Sequence, residues 1–208
     1  MSTPRVLLIE PLSSAVHLIP IADRLGIPTV VVSYDRGDRR LPDGFRSLVD
    51  EIAVIDPNDE VALIECVGDL HAKHEIGAVL PGIEYYVAKA ARVAEHLGVP
   101  GHPSDRARAL RDKSLMLEVA QAAGLRVPLA VLAHTRSELT VAAERVGFPA
   151  VLKPVASAGS THVTRVDDSA GLFRAYDAML ADRRPDDVGE CLDGVVLLEE
   201  YLSGPEIS

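Results

Sequence analysis

The residues best able to do chemistry lie between Phe148 and Val166, in the run FPAVLKPVASAGSTHVTRV. An apolar segment, Ala150-Val151-Leu152, ends in Lys153. A loop of small residues follows, from Ala156 to Thr161, and then a β-branched run from Val163 to Val166. This pattern predicts a strand, a flexible loop and a second strand. The loop offers the backbone N–H groups and hydroxyls of Ser157, Gly159, Ser160 and Thr161, with little steric hindrance to an anion. Lys153 adds a point charge at its root. The hairpin therefore suits closure over the phosphates of a nucleotide.

Two other stretches could join it. Lys113 lies in Leu110-Arg111-Asp112-Lys113-Ser114, where on its own a solvated lysine is the commoner reading. The apolar run Val195 to Leu198 opens into Glu199-Glu200-Tyr201-Leu202-Ser203-Gly204-Pro205-Glu206. By itself this reads as a final buried strand running into a solvated end.

The elements that must position these groups follow from the pattern of the whole chain. Val6 to Ile9, Thr29 to Val32, Glu51 to Ile55 and Ala78 to Leu80 are short apolar runs. Continuous runs of this kind fit strands covered on both faces. Helical stretches alternate with them. One starts near Ser13 or Ser14, and Pro20 either kinks it or makes it start late. Others run from Glu60 to Lys73 and from Glu84 to Leu97, the latter closed by Gly98. Alternation of strand and helix predicts an α/β fold with a parallel sheet.

Gly98-Val99-Pro100-Gly101-His102-Pro103 reads as a boundary, giving a first domain over 1–102 and a second over 103–208. The second opens with a helix from Asp105 to Ala123. Its Met116, Val119, Ala120 and Ala123 share one face, which the spacing predicts to be packed, with Lys113 off that face. A strand over Val127 to Ala133 follows. A capping box at Thr135 and Glu138 then opens a helix bearing Leu139, Ala142, Ala143 and Val146. After the hairpin, Asp168 or Ser169 caps another helix. Asp182 to Gly189 reads as a charged loop, and Val195 to Leu198 as the last strand.

Composition excludes several classes. With 208 residues the chain can bury a real core. A net charge of −10 argues against a nucleic-acid surface. No apolar run nears the ~20 residues of a membrane span. The start, MSTPRVLLIEP, lacks the apolar core of a signal peptide. A cytoplasmic protein is expected. Cys66 and Cys191 have neither zinc-ligand nor disulfide-framework spacing. The turn after the first strand, Glu10-Pro11-Leu12-Ser13-Ser14, has no glycine, which excludes the dinucleotide fingerprint. Ligands of open α/β sheets still bind beyond the carboxyl ends of the strands. There Glu84 and His17 are candidates for a substrate, although an acidic residue opening a helix is the plainer role for Glu84.

In this order the pieces resemble the ATP-grasp superfamily: an α/β domain, Arg-Asp-Lys, a Lys-ended strand with its loop, then Leu-Glu-Glu-Tyr-Leu-Ser-Gly-Pro-Glu. The likeness is to carboxylate–amine ligases, including L-amino acid ligases. It implies a Rossmann-like pre-ATP-grasp domain followed by part of an ATP-grasp domain. Lys113 and Lys153 would reach the ATP phosphates, and Ser157, Gly159, Ser160 and Thr161 would cover the β- and γ-phosphates. Glu199 would accept from the adenine amino group. Backbone groups of Glu200, Tyr201 and Leu202 would read the ring edge, and Glu206 would hold the ribose.

His162 departs from the pattern, standing where glycine is common; it would either contact a phosphate or cap the second strand, the latter being the plainer role. The resemblance also implies that the chain stops inside the domain. The Mg²⁺ ligands and the arginine that polarises the acyl-phosphate would lie beyond it, so no metal ligand is assigned here. The partners implied are ATP, a carboxylic acid and an amine, amino acids among them, and a second copy in a homodimer. No nucleophilic side chain is needed, so His102, His134 and both cysteines receive no catalytic role. A non-catalytic ATP/ADP-binding module, or truncated paralogue, and a carboxylase-type subunit activating bicarbonate are the alternatives.

Overall fold

Val6-Leu7-Leu8-Ile9 forms the centre of a four-stranded parallel sheet, in the order β3-β2-β1-β4. The computed structural model describes residues 3–182 and 194–204. Its strands are β1 (Arg5–Ile9), β2 (Thr29–Ser33), β3 (Glu51–Val54) and β4 (Ile76–Pro81). Connecting them are α1 (Leu18–Arg24), α2 (Asp43–Arg46) and α3 (Glu60–His74), and α4 (Val87–Leu97) follows β4. Side chains alternate across a strand, so Leu7, Ile9, Val30 and Val32 face α3 and α4, burying Leu63, Val67, Ala90 and Val93. Leu8 and Val31 face the other way, against Ile19 of α1 and Leu41. The parallel sheet expected from the alternation is present, covered on both faces.

Pro20 is resolved in favour of a late start. Ser13–His17 is a 3-10 turn, and α1 begins at Leu18. That puts Pro20 in the first turn, where a backbone N–H has no helical partner to lose. Glu84 and Tyr86 bound another 3-10 turn, ahead of α4, which ends on left-handed Gly98 as expected.

The chain divides into two compact units, Met1–Leu110 and Arg111–Ser208. Between Ser104 and Ala123 the structure departs from the single helix expected there. α5 (Ser104–Ala107) runs into a 3-10 turn over Arg108–Leu110, and α6 (Lys113–Ala122) starts afresh. The cause is Asp112, whose carboxylate accepts from the N–H groups of Ser114 and Leu115 and so caps a new helix. The face expected to be packed is open. Met116 and Val119 are 47% and 54% exposed, and α6 buries no residue. Apolar spacing marks a face able to be buried, and says nothing of whether a partner covers it.

The second unit also holds a four-stranded sheet, ordered β5-β8-β6-β7, all antiparallel. Its strands are β5 (Ala130–Ala133), β6 (Ala150–Pro154), β7 (Thr164–Val166) and β8 (Val196–Glu200). α7 (Arg136–Val146) and α8 (Ser169–Ala181) supply the covering helices. Thr135 caps α7 by accepting from the Glu138 N–H, while the Glu138 carboxylate accepts from the His134 N–H. Asp168 caps α8. Ala133, Ala150, Leu152, Val166, Val196 and Leu198 face these helices and pack on Leu139, Ala142, Leu172, Tyr176 and Met179. No helix among the described residues is long and apolar enough to cross a membrane.

Candidate functional site

The other face of the second sheet carries Ala130, Leu132, Val151, Lys153, Leu197 and Glu199, by the two-residue period of the strands. Val151 pairs with Glu199 and Lys153 with Leu197, so Lys153 and Glu199 are diagonal neighbours on this face. Lys153 Nζ lies 2.6 Å from Glu199 Oε1, with the side chains 17% and 10% exposed. The contact is an ion pair without hydrogen-bond alignment. Glu199 Oε1 is buried and receives no aligned hydrogen bond. A buried carboxylate oxygen in that condition can take a donor from a bound molecule.

The hairpin forms as expected, β6 pairing with β7 from Ala150↔Val166 to Leu152↔Thr164. Between them Gly159, Ser160 and His162 all have positive φ, at 62°, 58° and 54°. Only glycine takes that geometry without steric cost. The bulky ring at 162 is held by a 2.8 Å contact between His162 Nε2 and Asp182 Oδ2. His162 therefore ties the loop exit to the end of α8. Ser157 Oγ donates to the Thr161 carbonyl, and the Thr161 N–H donates to Ala158 O. Among the described residues, the N–H groups of Ala156, Ser157, Ala158, Gly159 and Ser160 donate to no protein group. N–H groups left unengaged in this way are available to an anion.

Arg111, Asp112 and Lys113 act on this loop from its other side. Lys113 Nζ donates to Ser157 O at 2.8 Å, and the Lys113 N–H donates to Val155 O at 3.0 Å. Arg111 Nη2 donates to Ala156 O at 2.8 Å. The sequence reading singled out Lys113 and passed over Arg111. The signal was in the Arg-Asp-Lys triplet itself, in which each residue serves a separate task.

At the end of β8, the Glu200 N–H is taken by Leu129 O and that of Tyr201 by Pro149 O. Of the segment expected to read a ring edge, Leu202 alone keeps its N–H unengaged among the described residues. The Tyr201 ring lies under the Arg165 guanidinium at 4.5 Å. Glu206 lies outside the described residues, as does most of the charged loop expected over Asp182 to Gly189. Among the described residues no group of three or more His, Cys, Asp or Glu side chains could hold a metal ion.

In the first unit, Glu84 is exposed in the opening turn after β4, and His17 packs edge-on to Phe45. The carboxyl ends of β1 and β2 are instead occupied by a buried network. Glu10 accepts from Ser33 Oγ, the Tyr34 N–H and both Nε and Nη2 of Arg39. Arg39 also donates to Tyr86 Oη at 3.0 Å. Burial pushes the Tyr86 phenol far above its ordinary range.

Known proteins share this fold. Residues 20–101 match the family model of the ATP-grasp N-terminal domain. The fold over nearly the whole chain is that of ATP-grasp structures. The matched segment belongs to the ATP-grasp N-terminal domain family. The L-amino acid ligase of Bacillus licheniformis superposes with a TM-score of 0.74 at 22% identity, over 99% of this chain and 46% of that one. The biotin carboxylase domain of the Hydrogenobacter thermophilus 2-oxoglutarate carboxylase, solved with MgADP, ADP and bicarbonate, gives 0.69 at 22% identity, over 97% and 45%. By sequence, the chain is 31% identical over 158 residues to the formate-dependent phosphoribosylglycinamide formyltransferase of Prochlorococcus marinus (strain MIT 9313), covering 74% of this chain and 38% of that relative. The chain thus spans less than half the length of the proteins it matches.

Proposed function

We propose that this chain forms the nucleotide-binding half of an ATP-dependent carboxylate–amine ligase. The observation that carries the reading is the face of the second sheet turned away from α7 and α8. There Lys153 and a buried, under-donated Glu199 stand beside a loop whose N–H groups are unengaged. Glu199 takes the adenine amino group, Lys153 the α-phosphate, and the loop from Ala156 to Thr161 the β- and γ-phosphates. Leu202 reads the ring edge, and Glu206 the ribose.

The chemistry is activation by phosphate. A carboxylate oxygen attacks the γ-phosphorus of ATP, the bond to the β-phosphate oxygen breaks, and ADP leaves. The amine then adds to the acyl carbon, phosphate departs, and the nitrogen loses a proton. Catalysis of this kind is mostly positioning and neutralisation of charge. In this chain the charge is met by Lys153 and the loop, which Lys113 holds through Ser157 O and which also keeps water from the acyl-phosphate. Mg²⁺ would neutralise the transferred phosphate. The described residues offer it no ligand set, so no step is assigned to it.

The test supplies the protein with ATP and Mg²⁺, then adds carboxylic acids and amines singly and together. ADP and phosphate release only when both are present supports the ligase. Release that ignores the acid contradicts it. Bicarbonate replacing the acid would identify the carboxylase alternative. Saturable ADP binding without turnover would identify a nucleotide-binding module.

A further inference from the structure

We infer that Arg111 is a positioning residue for the glycine loop, orienting its peptide planes toward the phosphates; this rests on the nucleotide site proposed above. In a peptide unit the C=O and the following N–H point in opposite directions. At the root of the loop the carbonyls of Val155, Ala156 and Ser157 are all drawn to one segment. Val155 O accepts from the Lys113 N–H, Ala156 O from Arg111 Nη2 and Ser157 O from Lys113 Nζ. The N–H groups of Ala156, Ser157 and Ala158 must then point away from that segment. Those same groups donate to no protein atom among the described residues. Arg111 holds the middle plane of the series, so without it the Ser157 N–H loses its fixed direction while its neighbours keep theirs.

Arginine suits the task. Its guanidinium stays charged, and its planar donors leave little freedom once one of them is engaged. The hydrogen bond to Ala156 O is charge-assisted and partly shielded from water, and so stronger than a neutral one. The loop contacts the distal phosphates, not the base. The role of Arg111 should therefore show in how the protein distinguishes ADP from AMP.

The experiment measures ADP and AMP affinity by calorimetry for the wild type, Arg111→Met and Arg111→Lys, with thermal unfolding recorded for each. Arg111→Met is expected to lose about tenfold in ADP affinity, with AMP affinity changed less than about twofold. Arg111→Lys, which keeps the charge and the stem, should recover part of that ratio. Equal losses for both nucleotides, or none, would overturn the inference while leaving the nucleotide site standing. A wild-type protein that binds neither nucleotide would overturn the site and the inference together. Should Arg111→Met fail to fold, the ADP-to-AMP ratio of Arg111→Lys decides: a selective loss for ADP supports the role, and an unchanged ratio contradicts it.

Discussion

Lys153 on β6 and Glu199 on β8 neutralise each other across neighbouring antiparallel strands, 2.6 Å apart and largely out of solvent. An ion pair so placed gains little net stability from being there, because both charges have been desolvated. Breaking one side is another matter. Lys153→Ala leaves a buried carboxylate without its cation and is expected to cost about 3–5 kcal/mol. The double variant Lys153→Met with Glu199→Gln removes both charges at similar volume and should cost much less. Urea unfolding of the two variants measures the difference. Equal losses would mean that the pair is not coupled in the folded protein.

The same pair shows how far the sequence could be read. The β-branched and apolar runs gave all four strands of the parallel sheet and the β6–β7 hairpin, since continuous apolar runs and turn residues are local signals. The capping box at Thr135 and Glu138 was equally legible. The contact between Lys153 and Glu199 was not, because strand register is set by pairing over a long separation. Arg111 was missed for a related reason. Its partner is a carbonyl, and any residue supplies one. The open face of α6 marks the opposite failure: the spacing of Met116 and Val119 described the stripe correctly and its surroundings not at all.

In the first unit, Glu10, Arg39 and Tyr86 close the end of the sheet around Gly82. An added Cβ at Gly82 would fall onto the Glu10 carbonyl and the Cα of Pro11. Gly82→Ala must therefore displace the backbone that carries the Glu10 carboxylate. It is expected to cost about 2 kcal/mol or more. Glu10→Gln should cost about 3–5 kcal/mol by leaving Arg39 charged and buried. Thermal unfolding checks both. A Gly82→Ala protein as stable as the wild type would show that the approach is not tight.

Acid should weaken the first unit through Glu51. Hydrogen bonds from His74 and then Lys73 hold its carboxyl below the usual carboxylate range. The folded state thus binds fewer protons than the unfolded one as pH falls toward about 4. Stability from this group is fully present above the unfolded value and lost as pH drops through the lowered one. Glu51→Gln should lose stability at neutral pH, and its stability should fall less steeply than the wild type between about pH 5 and pH 3. Melting temperature recorded against pH gives the comparison, and parallel curves would contradict the assignment.

The face shared by Lys153, Glu199 and the glycine loop is expected to bind a nucleotide. Calorimetric titration with ADP decides this by comparing the wild type with the Lys153→Met/Glu199→Gln double variant, which removes both charges at similar volume and leaves neither buried alone. Saturable binding by the wild type, lost in the double variant while its melting temperature stays close to that of the wild type, is the predicted result. Equal ADP affinity in both proteins, or no binding by the wild type, would contradict it.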